Sequence, residues 1–244
     1  MKTRPIIFDS ESVRAILAGT KTQTRRVVKP QPPADAVEAA PNGYEGPEGP
    51  SWFWMKPGTV SPMFLPRGAA YWPNTLAGAK PISCPYGRPG DELWVRETFC
   101  SRFVDPPGPN GYYDGWWYAA TDETPMAVDG DGGCRFRKNG EEASPWISPI
   151  RMPREASRLT LRVTDVRVER VQEITKEGAK AEAYPMPRLQ RTAYEARQGK
   201  ETVPDDERGD FRYFWDRSNA KRGFGWDVNP WVWVVSFEVL PDAS

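Results

Sequence analysis

Two hydrophobic periods alternate along the chain. Residues Arg4 to Phe8 set Ile6 and Phe8 two apart, the inward pair of a first strand. Val13, Ile16 and Leu17 then stand at i, i+3 and i+4, the apolar stripe of a short helix. Asp9 or Ser10 precedes that helix as an N-cap, and Gly19 follows where a left-handed C′ residue is expected. From Thr22 to Val28 the period of two resumes. A turn at Pro89-Gly90-Asp91 leads into a strand with Leu93, Val95 and Glu97 on one face and Trp94, Arg96 and Thr98 on the other.

The longest strand pattern runs from Ser157 to Val171. Leu159, Leu161 and Val163 keep one parity and Val166 and Val168 the other, so a bulge or sharp bend is predicted near Thr164-Asp165. The intervening Arg158, Arg162, Arg167 and Arg170 form its outward polar face. Ile174 to Ala183 reads as a short helix capped by Thr175, Leu189 to Gln198 as another, and Phe211 to Trp215 as an aromatic helix or turn. Trp231 to Leu240 closes the series as a strand buried on one face and partly on the other. The sum is a mixed α+β chain.

Two stretches interrupt this order, about 30–85 and 101–153, both rich in Pro and Gly. The first carries Trp52, Phe53, Trp54, Tyr71 and Trp72, too many aromatics for a linker. In the second, Tyr112-Tyr113 and Trp116-Trp117-Tyr118 flank Asp114-Gly115, a two-residue hairpin pattern. These aromatics either cover the core or form a lid over a ligand. Asp129-Gly130-Asp131-Gly132 lacks the third acidic position and the terminal glutamate of a calcium loop.

Composition narrows the chemistry. Lys+Arg and Asp+Glu both number 33, which argues against a long nucleic-acid partner but leaves a nucleoside or nucleotide open. The absence of histidine removes Ser-His-Asp and Cys-His catalysis and the commonest zinc ligand. Cys84, Cys100 and Cys134 lie far apart with no C-x-x-C pair, so neither a disulfide framework nor a metal knuckle is indicated. With no apolar signal region and no run of membrane-spanning length, a soluble, cytoplasmic protein with no membrane partner is expected.

The densest group of reactive side chains lies where the first helix gives way to a strand: Gly19-Thr20-Lys21-Thr22-Gln23-Thr24-Arg25-Arg26. By itself this is an exposed basic turn. The wider pattern Ile16-Leu17-Ala18-Gly19-x-Lys21-Thr22-x-Thr24-x-Arg26, however, resembles the signature of the ASCH family of small PUA-like β-barrels. It is most similar to the branch that hydrolyses N4-acetylcytidine. The resemblance covers roughly residues 4–29, 86–100, 157–184 and 211–240, and implies one α+β domain over 1–244, a small barrel flanked by short helices and carrying the two insertions.

That resemblance implies a cytidine N4-acyl amidohydrolase acting on a small nucleoside or nucleotide, with no metal and no cofactor. Lys21 and Thr24 fall on the family's catalytic lysine and threonine. Alignment of the helix opening Ile174-Thr175 places its catalytic glutamate at Glu182. Thr24 is then the nucleophile, Lys21 its base, and Glu182 the acid for the departing amine or the group that orients water. Arg26 is expected to hold a substrate oxygen, and Glu97 is a candidate second carboxylate for substrate binding. One condition follows: a regular strand sends Lys21 and Thr24 to opposite faces, so Lys21 must lie in a turn or at a bulge. An RNA- or modified-base-binding module, an ASCH-type ribonuclease, and a phage-type accessory protein are the alternatives.

Overall fold

The computed structural model describes residues 1–32, 38–46, 49–55, 82–104, 112–122, 137–138, 141–142, 146–184 and 207–241. In chain order these form β1 (Thr3–Ile7), α1 (Ser10–Leu17), β2 (Gln23–Val27), β3 (Glu38–Gly46), β4 (Gly49–Met55) and β5 (Ile82–Ser83). Next come β6 (Glu92–Arg96), β7 (Phe99–Val104), β8 (Tyr112–Tyr118), β9 (Arg137–Lys138), β10 (Glu141–Glu142) and β11 (Thr160–Arg170). Helices α2 (Lys176–Glu182) and α3 (Glu207–Asn219) precede the last strand, β12 (Trp231–Val239).

A five-stranded sheet in the order β1-β6-β11-β12-β2 positions everything else. Only β1 and β6 run parallel; the other neighbours are antiparallel. The β11–β12 register shifts between Val163 and Asp165, where the parity of the sequence slips. Leu161 and Val163 stay buried on one side of the bulge and Val166 on the other. Every residue from Trp231 to Val235 is buried, because both faces of β12 are covered.

One face of the sheet gathers Ile6, Leu93, Val95, Leu161, Trp233, Val235 and Phe237 against Val13 and Ile16 of α1. The other gathers Val232 and Val234 against Ile174 and Ala179 and against Phe211 and Trp215 of α3. Asp9 caps α1 by accepting a hydrogen bond from the Ser12 N–H at 2.7 Å, and Gly19 takes φ +69° just past its end. Leu17 departs from expectation: it is exposed, since the helix meets the sheet through Val13 and Ile16 alone.

The described strands do not close into the barrel expected from sequence. β1 and β2 are the two edges of the sheet and share no backbone ladder. A side chain crosses between them instead, the Arg26 Nη2 donating to the Ile7 carbonyl at 2.6 Å.

The insertions hold separate small sheets, β3-β4-β5 and β7-β8, with β9 and β10 paired to each other. The hairpin expected at Asp114-Gly115 is absent. β8 runs straight through it against β7, and the register between Ser101↔Trp116 and Phe103↔Tyr113 gives β8 one extra residue there. The glycine marks a bulge, not a reversal. The helix expected at Leu189 to Gln198 and the run Asp129 to Gly132 lie outside the described residues. No helix among the described residues is long and apolar enough to cross a membrane.

Candidate active site

Lys21 sits in the turn between α1 and β2, not within the strand, which meets the condition set by sequence parity. Its N–H donates to the Ala15 carbonyl at 3.1 Å, tying the turn to the end of α1. The next residue is tied at both sides: the Thr22 N–H donates to Ala181 and the Thr22 carbonyl accepts from Phe237. The turn is therefore clamped between α2 and β12 immediately after the lysine.

The Lys21 side chain is fully buried and donates twice to one residue: to the Glu182 carbonyl at 2.7 Å and to Glu182 Oε2 at 3.0 Å. Glu182 is the last residue of α2, a helix that the Thr175 hydroxyl caps by accepting the Gly178 N–H at 3.0 Å. Ala183 follows with φ +49°, a left-handed conformation that turns the chain at once. Tyr184 thereby returns over the lysine, its ring centroid 4.2 Å from Nζ and its hydroxyl 2.7 Å from Ser12 Oγ.

Arg25 completes the charge balance. Its Nη1 donates to Glu182 Oε1 at 3.2 Å and to Gln23 Oε1 at 2.9 Å. Its Nε and Nη2 both meet Glu169 Oε1, at 3.1 and 2.5 Å. The buried Lys21, Arg25 and Glu182 are thus paired with one another and with the partly exposed Glu169, which also accepts from Arg167 at 3.2 Å. Pairing is the condition under which buried charge is tolerated. Strand parity explains its burial: opposite Val234 in the ladder, Arg25 shares the sheet face covered by α2 and α3, and its guanidinium lies over the Phe211 ring at 5.6 Å.

Thr24 pairs with Val235 and faces the α1 side of the sheet. Because β2 is an edge strand, side chains from both of its faces reach the space beside it. That space is a cavity of about 320 Å³, lined by Thr24, Arg26 and Glu182 together with Phe8, Tyr86 and Tyr184. Thr24 is buried, yet no described residue hydrogen-bonds to its hydroxyl. Arg26 bridges to Ile7, lies over the Phe8 ring at 5.0 Å, and leaves its buried Nε without a partner. Burial pushes the Tyr86 hydroxyl up, while the Arg26 and Arg222 guanidiniums pull it down.

Of the residues singled out from sequence, Lys21 and Glu182 meet directly, and Thr24 and Arg26 line the cavity that Glu182 also lines. Glu97 belongs elsewhere. It is buried and held bidentately by Arg158, at 2.9 and 3.0 Å, and it does not line the cavity. Its strand face points into the core, where the carboxylate requires a fixed counter-charge and has none to spare for a ligand. Among the described residues, the aromatics Trp116 and Tyr118 that could form a lid do not line this cavity either. Trp116 packs edge-on against Phe99 at 5.5 Å, and the Tyr118 hydroxyl donates to the Ala156 carbonyl, in a small core of their own. Side chains at Trp52, Phe53 and Trp54 lie outside what is described.

Sequence reasoning missed Arg25 as the bridge, Glu169 as its anchor and Tyr184 as the cover on Lys21. Parity carried a signal for Arg25, which shares a strand face with Gln23. Nothing local distinguished Tyr184, whose place depends on the backbone turn at Ala183. Among the described residues no group of three His, Cys, Asp or Glu side chains is set to hold a metal ion. Comparison with protein-family models, with curated proteins and with solved structures finds no match to this chain.

Proposed function

We propose that this chain is an amidohydrolase that removes acyl groups from the N4 amine of cytosine derivatives, built on an ASCH-type, PUA-like scaffold. The observation that carries the reading is the buried Lys21–Glu182 pair set beside a small cavity that the unbonded Thr24 hydroxyl lines. A volume of about 320 Å³ suits a single nucleoside better than a polynucleotide track. The buried cation Arg25 is already neutralised, which counts against a continuous basic groove for RNA.

The chemistry follows from the groups in place. The ion pair and the neutral pair of Lys21 and Glu182 differ only in where one proton sits. With that proton on Glu182, the neutral Lys21 amine takes the Thr24 proton as the hydroxyl oxygen attacks the acyl carbon. Glu182 then gives its proton to the N4 nitrogen as the amide bond breaks, leaving cytosine with a free amine and the acyl group as an ester on Thr24. Water attacks that ester, one of its protons returns to the Thr24 oxygen through Lys21, and the carboxylic acid departs. Arg26 offers donors to a substrate oxygen, either the base carbonyl or the developing oxyanion.

Incubation with N4-acetylcytidine, followed by absorbance as the acylated chromophore is lost, tests this reading. Cytidine and acetate are the expected products. No step passes through a metal, so excess chelator leaves turnover intact. Failure to release cytidine, combined with tight binding of a structured RNA, would transfer the site to a binding module.

A further inference from the structure

The charges lining the cavity do not balance once their local duties are counted. Six of its lining residues are ionisable acids or bases of unlike sign: Asp9 and Glu182 against Arg25, Arg26, Lys29 and Arg222. Asp9 is spent as the cap of α1, and Glu182 is spent on Lys21 and Arg25. Arg26 is tied to Ile7 by a hydrogen bond that leaves its charge uncompensated. Lys29 and Arg222 have no ion pair among the described residues.

These last two cations come from unrelated elements, the segment after β2 and the turn after α3, yet both line the same cavity. Phe224, two residues past Arg222, lies under the Lys29 ammonium at 5.6 Å. Tyr86 lies in the field of both Arg26 and Arg222. A cation after a helix C-terminus also answers the helix dipole, but Lys221 beside Arg222 serves that purpose as well. Lys29 has no such reason to be there. The chain as a whole carries no net charge, so this excess is local and not a by-product of composition.

We infer that Lys29 and Arg222 form a phosphate subsite at the rim of the cavity, so that the preferred ligand is a nucleoside monophosphate and not the free nucleoside. Guanidinium and ammonium groups with unspent donors are the side chains that hold a phosphate dianion. Tyr86, which lines the same cavity beside Arg222, adds a hydroxyl donor. With the phosphate at this rim, the base extends inward toward Thr24 and Glu182. The inference rests on the proposed hydrolase only for the identity of the base.

Two measurements separate the inference from that reading. In the first, full-length protein is titrated calorimetrically with CMP, cytidine, AMP, adenosine and inorganic phosphate. A monophosphate should bind at least about tenfold tighter than its nucleoside, in a salt-dependent way. Arg222→Gln and Lys29→Gln should each shrink that ratio by about tenfold, whereas Arg162→Gln, an exposed cation distant from the cavity lining, should leave it alone. In the second, kcat/KM is compared for N4-acetylcytidine and its 5′-monophosphate, and the monophosphate should be favoured. Preference for AMP over CMP, with no deacylation, keeps the subsite and discards the cytosine chemistry. Equal affinity for nucleotide and nucleoside overturns the subsite even if deacylation is observed. So does a preference that survives both substitutions in well-folded protein. Inorganic phosphate binding as tightly as any nucleotide would reduce the rim to a simple anion site and overturn the substrate claim.

Discussion

Lys21 Nζ donates to both the main-chain carbonyl and the carboxylate of Glu182, a residue 161 positions away, at 2.7 and 3.0 Å. The relation is asymmetric. Glu182 also accepts from Arg25, whereas Lys21 pairs with no other carboxylate. Removing the glutamate charge therefore strands the buried Lys21 while Arg25 keeps Glu169, whereas removing the lysine charge leaves Glu182 paired with Arg25.

Stability should reflect this. Glu182→Gln is expected to cost about 3–5 kcal/mol, the range for breaking a buried ion pair. Lys21→Met should cost roughly 1–3 kcal/mol, because Arg25 still compensates Glu182. Urea denaturation followed by tryptophan fluorescence measures both. The reverse order would mean that Arg25 does not share the carboxylate.

Glu97 illustrates a carboxylate that sequence nominated and packing claimed. Glu97→Gln should lower stability by roughly 2–3 kcal/mol, the partly exposed Arg158 turning to water once its partner is neutral. Turnover by the folded variant should match wild type, since the residue does not line the cavity. A raised KM at unchanged stability would return Glu97 to the binding site.

The turn before β6 makes a pH-dependent contribution. Burial alone would raise the Asp91 carboxyl, but N–H bonds from Lys2 at 2.9 Å and Arg88 at 3.3 Å outweigh it and hold it below 3.8. A carboxyl lowered on folding stabilises above its unfolded value and loses that effect as pH falls through the folded one. Asp91→Asn should thus be less stable than wild type at neutral pH, and the gap should narrow below about pH 4. Gly87, with φ +95°, presents its missing Cβ 2.9 Å from the same carboxylate, so Gly87→Ala should cost about 1–3 kcal/mol. Denaturation across the acid range measures all three proteins. A gap that stays constant with pH would contradict the role given to Asp91.

Features decided within a few residues were legible from sequence. Asp9 caps, Gly19 turns, Leu93 and Val95 point inward, and the parity slip near Thr164 is a bulge, because backbone sterics and strand period fix each locally. What eluded it depended on partners far along the chain. Leu17 fits a helical stripe but finds no sheet beneath it. Asp114-Gly115 has hairpin chemistry, yet pairing with β7 turns it into a bulge. Adjacent Arg25 and Arg26 look alike in sequence; only the placement of Glu169 and Glu182 makes one a buried bridge and leaves the other at the cavity. Lys21, Thr24 and Glu182 were nominated by resemblance, and no composition or spacing argument would have joined residues so far apart.

The most direct measurement is cytidine release from N4-acetylcytidine by wild type, Lys21→Ala, Thr24→Val and the double variant. Thr24→Val keeps the side-chain shape and removes a hydroxyl that bonds to no described residue, so it should fold normally. The account predicts release by wild type, a loss of several orders of magnitude in kcat for each single variant, and a double variant hardly worse than either, because members of one catalytic unit do not add. Near wild-type turnover by folded Thr24→Val, or no cytidine from wild type, would contradict it.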